Sequence, residues 1–204
     1  TTNAGENGDI RLLSDNPAAI GSTVNFTVTA NAYYELDTLT VKDSANTDVE
    51  YQYNEASDSY SFIMPGSDVT ISATFKKKQY SVTTNGSKVA FSGLDDKYTW
   101  GDTVEFTVTP EKWYNIKDVT VAGVDVKDNG NGSYSFIMPT NDVEIKATAE
   151  RPNFNVEFVS NGGSSVNGQV IANGDTVAKP TTPTYVNHGF AGWYTSPTFE
   201  ADTK

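Results

Sequence analysis

His188 is the only histidine of the chain, and histidine is the side chain that most often acts as a general base near neutral pH. A Ser-His-Asp or Cys-His site would need a nucleophile and an orienting group that converge on it, and the chain has no cysteine. His188 precedes Gly189 in a predicted turn, and no motif brings such partners to it. The sequence therefore predicts no catalytic residue, and one histidine without cysteine also predicts no zinc site.

Carboxylates are abundant, with 26 Asp and Glu residues, and a pair of them could in principle hydrolyse a glycosidic bond. Eight of them lie at predicted turns, where an Asp side chain bonds to nearby backbone: Asp43, Asp48, Asp58, Asp68, Asp95, Asp96, Asp128 and Asp142. The segment Asp128-Asn-Gly-Asn-Gly132 has some likeness to a calcium loop, but it lacks the alternating carboxylates and the closing Glu. We predict a plain hairpin turn there, and no metal or cofactor. A Lys–Asn isopeptide bond would leave no trace in the sequence and stays open.

Four aromatic residues near the two ends of one predicted strand are candidates for glycan binding. Tyr98 and Trp100 lie at the turn of Gly101 that opens this strand, and Trp113 and Tyr114 lie at its far end. Neighbouring residues on a strand point to opposite faces, so one aromatic of each pair should be exposed and could stack on a sugar ring. The alternative is that these side chains cap a small core.

The elements that would position these residues come from a stretch that occurs twice. Tyr60-Ser-Phe-Ile-Met-Pro65 recurs as Tyr134-Ser-Phe-Ile-Met-Pro139, 74 residues later, and each copy continues into an alternating apolar segment. This period of two predicts a strand, a tight turn at the proline and a second strand. Because Thr140 replaces Gly66 in the second copy, the shared turn should be of type I, which needs no positive φ.

A second repeated signal indicates three modules. Gly21-Ser-Thr-Val24 opens a strand, Gly101-Asp-Thr-Val104 repeats it, and Gly174-Asp-Thr-Val177 begins it a third time. The segment from Val41 to Tyr60 is six residues longer than its counterpart from Val121 to Tyr134, so the first module carries an insertion. We predict a flexible segment at 1–8 and β modules at 9–78, 79–151 and 152–204.

Size and charge limit what such a chain can do. A module of roughly 70 residues has a small core, which the 10 Phe, 11 Tyr and 3 Trp would largely supply. A net charge of −12 disfavours nucleic acid and anionic membranes. No apolar run is long enough for a membrane span, and the first residues do not read as a signal peptide, so we expect a processed or excised segment.

The third module resembles a known family. Val156-Glu-Phe158, Asn161-Gly-Gly163, Gly174-Asp-Thr-Val177 and Gly189-Phe-Ala-Gly-Trp193 together resemble the Listeria–Bacteroides repeat, also called the internalin B-repeat. The first two modules resemble divergent members through Gly-x-Thr-Val and the Met-Pro hairpin, although they lack the Gly-Phe-x-Gly-Trp element. The resemblance implies an all-β fold of three tandem small modules, β-grasp-like or Ig-like.

The same resemblance implies a function without catalysis. Such repeats serve as spacers, stalks or adhesion modules of secreted or wall-attached proteins of Gram-positive-type bacteria. The expected partners are host or cell-wall glycans or a host surface protein. The alternative is a set of carbohydrate-binding accessory modules in a secreted protein that degrades or binds polysaccharide.

We expect the modules to form an elongated rod, because the linkers Lys76–Lys78 and Arg151–Pro152 are short. Small-angle X-ray scattering checks this prediction. The radius of gyration should clearly exceed about 17 Å, the value that the compact-domain scaling gives for 204 residues. A value near that figure would contradict the rod.

The resemblance also implies one more apolar strand after Trp193, where this chain has a polar stretch ending at Lys204. We therefore expect the third module to lack its last strand and to present an open edge beside Phe154–Val159. The chain should be a monomer in dilute solution, with edge-strand contacts between copies at high concentration.

Overall fold

The computed structural model describes residues 1–196 and places seventeen strands and no helix in that range. The all-β prediction is confirmed. The first module contains β1 (Thr2–Ala4), β2 (Gly8–Leu12), β3 (Thr23–Ala30), β4 (Tyr34–Asp43), β5 (Tyr51–Asn54), β6 (Ser59–Ile63) and β7 (Val69–Lys77). The second contains β8 (Gln79–Ser87), β9 (Val89–Ser92), β10 (Lys97–Thr99), β11 (Thr103–Pro110), β12 (Asn115–Val121), β13 (Lys127–Gly130), β14 (Ser133–Ile137) and β15 (Val143–Glu150). The third contains β16 (Asn153–Val156) and β17 (Gln169–Ala172).

The first module consists of two sheets with a core between them. The strand orders are β1-β7-β4 and β2-β3-β6-β5. Buried residues alternate with exposed ones along β3 and β7, as the period of two predicts. The fully buried side chains from both sheets form one apolar cluster: Ile10, Val24, Phe26, Val41, Phe62, Val69, Ile71 and Ala73.

The second module repeats this arrangement with one additional strand, β10. Its sheets have the orders β10-β8-β15-β12 and β13-β14-β11-β9. The ring of Phe26 stacks on Tyr60 at 5.4 Å and meets Phe62 edge-on at 6.1 Å. Phe106 stacks on Tyr134 at 5.8 Å and meets Phe136 edge-on at 6.1 Å. The two copies of the sequence motif therefore build the same aromatic core.

The chain divides into two compact units whose limits differ from those of the modules. The predicted boundaries at 9–78, 79–151 and 152–204 stay a prediction. The units are Thr1–Thr84 with Gly93–Phe106 and Thr120–Ile145, and Asn85–Ser92 with Thr107–Val119 and Lys146–Lys204.

The Met-Pro turns do not depend on glycine. Neither Gly66 nor Thr140 has a positive φ, which agrees with a type I turn that needs no glycine. Each turn is tied to the strand that follows the repeated glycine, since the N–H of Gly21 donates to the Met64 carbonyl and that of Gly101 to the Met138 carbonyl, both at 2.9 Å.

The first residues differ from the expectation of a loosely held segment at 1–8. Strand β1 pairs in parallel with β7, with Thr2 opposite Ile71 and Ala4 opposite Ala73. The amino group of Thr1 donates to the Val69 carbonyl at 2.7 Å. The edge of β7 offers backbone groups that would otherwise lack partners, and this explains why a polar segment without a strand pattern joins the sheet.

In the third module, β16 pairs antiparallel with β17, with Phe154 opposite Ile171. Trp193 contacts Phe158 at 5.2 Å and Phe190 at 5.4 Å between ring centroids, so these three rings form an aromatic cluster. The predicted absence of a last strand concerns residues outside the described range, and it stays a prediction. No helix in residues 1–196 is long and apolar enough to cross a membrane.

Candidate functional site

One turn recurs in all three modules, and its last two residues are the Gly-x of the repeated Gly-x-Thr-Val signal. In these "glycine turns", Ala19–Ser22, 99–102 and 172–175, the fourth N–H donates to the first carbonyl at 3.0, 3.2 and 2.9 Å. The third residue is Gly21, Gly101 or Gly174, with φ of 77, 86 and 86°. This is the pattern of a type II turn, which explains why glycine is needed at that position.

A second recurring turn follows β3 and β11 and has a counterpart in the third module. In these "aromatic turns", 31–34, 111–114 and 185–188, the fourth N–H again donates to the first carbonyl, at 3.1, 3.0 and 3.1 Å. The third residue has a positive φ and is Tyr33 (70°), Trp113 (77°) or Asn187 (62°). Asn tolerates that conformation, whereas a bulky aromatic residue adopts it rarely. Two of the three turns therefore hold a strained aromatic residue.

The structure places the first candidate pair at a glycine turn. Trp100 is the second residue of its turn and is 44% exposed. Its ring lies 5.1 Å from that of Tyr33, between centroids. Tyr98 is half-buried, and its hydroxyl accepts the N–H of Asp95 at 2.7 Å. Trp100 thus contacts an aromatic turn of the preceding module.

The second candidate pair forms an aromatic turn. Trp113 is 46% exposed, and the Lys112 ammonium lies 4.5 Å from its ring centroid. A Cβ added to Gly174 would lie 2.5 Å from the Trp113 ring, so the indole packs directly over that glycine. The Asn173 side chain donates to the Trp113 carbonyl at 3.2 Å. Tyr114 is half-buried and has the Lys88 ammonium 5.7 Å from its ring centroid.

In each candidate pair the tryptophan is exposed and the tyrosine is half-buried. Tyr98 and Trp100 lie in one compact unit, and Trp113 and Tyr114 lie in the other. Glycan binding by these four residues stays a prediction.

A groove that sequence reasoning missed lies in the first module. It has a volume of about 970 Å³ and includes Val41, Val49, Tyr51 and Phe62 among its lining residues, with Glu50 and Gln52 supplying polar groups. The longer segment between Val41 and Tyr60 was the signal that could have found it, because residues 48–52 of that segment line the groove.

Three tyrosines extend the core face at this edge. Tyr51 and Tyr53 are 38% and 49% exposed, and their rings lie 5.9 and 4.9 Å from that of Tyr60. The Tyr51 hydroxyl donates to the Leu39 carbonyl at 3.3 Å. The Tyr53 hydroxyl donates to the Asp58 carboxylate at 2.8 Å. Tyr51 lines the groove, and its ring and hydroxyl offer a stacking face and a hydrogen-bonding group beside Glu50 and Gln52.

The hydrogen bond to Asp58 raises the pKa of Tyr53, because it favours the protonated phenol. The bond should stabilise the fold below the usual tyrosine pKa of about 10, and this contribution should be lost as pH rises through the higher pKa of the folded state. Ultraviolet titration, with Tyr53→Phe as the reference that removes one phenol, should show Tyr53 ionising at a higher pH than a free tyrosine. Asp58→Asn should lower its midpoint, and an unchanged midpoint would contradict the role of Asp58.

His188 ends a turn and stacks on a neighbouring aromatic ring. Its ring stacks on Tyr185 at 4.3 Å between centroids, and its Nδ1 lies 2.9 Å from the Val186 carbonyl. The two residues close the third aromatic turn. A groove of about 470 Å³ beside them is lined by Val159, Phe190 and Trp193, among others. No nucleophile with a bond to His188 is found in the described residues.

The acidic residues likewise make local turn contacts. Asp128 accepts the Gly130 N–H at 2.7 Å in the β13–β14 hairpin, and Asp43 accepts the N–H groups of Ala45 and Thr47, each at 2.9 Å. Within residues 1–196, no three Asp, Glu or His side chains are placed to hold a metal ion. Such hydrogen bonds from nearby backbone N–H groups to an Asp side chain stabilise turns.

Comparison with known families accounts for nearly the whole chain. Residues 1–79 and 80–151 each match the divergent InlB B-repeat domain. The chain belongs to the divergent InlB B-repeat family. Residues 154–204 match the Listeria-Bacteroides repeat domain, so the resemblance inferred from the sequence is confirmed. The aromatic turns with Tyr33 and Trp113 belong to the two B-repeats. These are non-catalytic repeat domains of a kind typical of bacterial surface proteins.

One relative matches about two thirds of the chain. A protein of Evansella cellulosilytica with the provisional name Gly-rich membrane protein is 28% identical over 142 residues. The match covers 66% of this chain and 16% of that protein, so the chain corresponds to a small part of its relative. No solved structure matches the chain.

Proposed function

We propose that this chain is a non-enzymatic spacer in a bacterial surface or secreted protein, and that it holds another part of that protein away from the cell. The observation that supports this most is the run of repeats, which leaves almost no residue of the chain outside a repeat domain. The first two modules repeat one aromatic core, and tandem copies of one fold add length without adding new chemistry.

A surface-display experiment tests the spacer. The chain would be anchored to a bacterial cell wall at its C-terminus, with an epitope at its N-terminus that a bulky antibody must reach. Deleting residues 1–79 should reduce antibody access, and an unrelated folded domain of the same size in their place should restore it. If the replacement fails to restore access while the epitope itself remains intact, the role depends on the B-repeat surface and the spacer proposal is wrong.

Glycan binding is the second candidate, and the groove beside Tyr51 supports it together with exposed Trp100 and Trp113. Electrophoresis of the whole chain through gels containing cell-wall polysaccharide should then show retardation. Tyr51→Ala, Trp100→Ala and Trp113→Ala test the separate surfaces, each compared with its own thermal melt.

Loss of retardation with an unchanged melt would support a binding role for the substituted residue. Val170→Ala is the control, because the exposed Val170 side chain belongs to none of these three surfaces. Absence of retardation for the unsubstituted chain with every polysaccharide would exclude glycan binding of this kind.

A further inference from the structure

We propose that the aromatic turn of each B-repeat is a docking element, and that its partner is the glycine turn of the module that follows in the chain. The docking residues are Tyr33 and Trp113. This assigns an interaction surface to both turns, and it holds whether the chain acts as a spacer or binds glycans.

The same pair of turns meets twice. Tyr33 of the first module lies against Trp100, the second residue of the next glycine turn. Trp113 of the second module lies over Gly174, the third residue of the following glycine turn. Where the second residue of the glycine turn is the smaller Asn173, the docking residue is the larger tryptophan. The sizes of the two facing side chains thus compensate for each other.

The docked residue is also held through its backbone. The Tyr33 carbonyl accepts the N–H of Lys78 at 2.9 Å. The equivalent position in the second module is Pro152, which has no N–H to donate. There the Asn173 side chain donates to the Trp113 carbonyl instead, at 3.2 Å. The same carbonyl is satisfied in both places by different chemistry, which is expected if the position matters.

The second contact is reinforced by a charged residue. Arg151 donates from Nε to the Asn173 carbonyl at 2.7 Å, and its Nη2 pairs with the Asp175 carboxylate. The backbone N–H of Asn173 donates to the Pro152 carbonyl at 2.8 Å. The glycine turn of the third module is therefore bound both by the linker and by the Trp113 ring.

Backbone strain gives an independent reason. A tyrosine or tryptophan at positive φ costs free energy that surrounding contacts must offset. The equivalent residue of the third aromatic turn is Asn187, which adopts positive φ without an aromatic ring. Since asparagine fits the turn, an aromatic residue at this position is explained by what its ring contacts.

A pair of glycine substitutions in the whole chain tests the docking. Gly174 and Gly101 have the same φ of 86°, so replacing either by alanine adds similar backbone strain. A Cβ at Gly174 would collide with Trp113, whereas none of the atoms described lies within 4 Å of a Cβ at Gly101. Gly101→Ala is therefore the matched control for Gly174→Ala.

Hydrogen exchange of the turn amides provides the measurement. The Asp175 and Asp102 amides close the two glycine turns. Gly174→Ala should reduce protection of Asp175 about tenfold more than Gly101→Ala reduces protection of Asp102, as expected for a packing conflict of ~1.4 kcal/mol. The indole N–H resonance of Trp113 should shift only in Gly174→Ala.

The Trp113→Asn variant decides between docking and a local defect. Asparagine keeps the turn but removes the ring, so in this background the excess effect of Gly174→Ala should disappear. If the excess persists, or if Gly174→Ala and Gly101→Ala behave alike from the start, Trp113 does not dock on Gly174 and the proposal is overturned. At the other contact, Trp100→Asn should shift the Tyr33 ring resonances, while Ile20→Asn, in the 77%-exposed equivalent position of the first glycine turn, should leave its own module unchanged.

Discussion

Phe26→Ala and Phe106→Ala are each expected to unfold the module that contains them. The Phe26 side chain is completely buried and Phe106 is 2% exposed, and each contacts two further core rings. Removing a buried phenylalanine ring costs about 3–5 kcal/mol, which is similar to the whole stability that a core of this size provides. In a nuclear magnetic resonance spectrum, Phe26→Ala should remove the dispersed signals of β3 and β6, and Phe106→Ala those of β11 and β14.

Exposed residues on the neighbouring strands β6 and β14 serve as controls. Ile63 follows Phe62 and is 59% exposed, and Ile137 follows Phe136 and is 57% exposed. Ile63→Ala and Ile137→Ala should change the free energy of unfolding by about 0.5 kcal/mol or less. If Phe26→Ala lowers stability no more than Ile63→Ala does, the aromatic core of the first module is not formed in solution.

Met138→Ala is expected to destabilise its module far more than Met64→Ala destabilises the first one. The two methionines lie in identical sequence motifs, yet Met138 is fully buried whereas Met64 is half-buried. Met64 borders an open cavity of about 250 Å³ that is also lined by Ala18. A fully buried methionine costs about 2–5 kcal/mol when truncated, and a half-buried one beside open space about 1 kcal/mol. Urea unfolding of the two variants, followed by signals from each module, measures the difference.

We expect Tyr98 to account for this difference, and it provides a second test. It occupies the position before its glycine turn that Ala18, which lines the cavity beside Met64, occupies in the first module. A large ring at that position should fill the corresponding space. In a Tyr98→Ala background, Met138→Ala should cost less than it does alone, because the site would already be open. Strict additivity of the two substitutions would show that Tyr98 does not cover Met138. This role is the core-capping alternative that the sequence left open for Tyr98.

Local patterns were enough to predict several of the strands and turns. Alternation with a period of two, a proline that ends a ladder and a glycine before Thr-Val act over a few neighbouring residues, so β3, β6 and β7 could be assigned from their own residues. Repetition then predicted the tandem modules, and comparing Gly66 with Thr140 predicted that the Met-Pro turn needs no positive φ. The short strand β1 could not be predicted, because its partner β7 is distant in the chain and its own residues carry no strand pattern.

The environment of the aromatic residues depended on the tertiary structure. Adjacent aromatics indicated that one of each pair is exposed, but not that Trp100 meets Tyr33 or that Trp113 covers Gly174, since those contacts join residues more than sixty positions apart. The same holds for Met64 and Met138, whose identical motifs differ in burial because the residues packed around them come from other segments. Backbone conformation is set largely by sterics within a few residues, whereas burial is set by whichever distant surface the fold brings into contact.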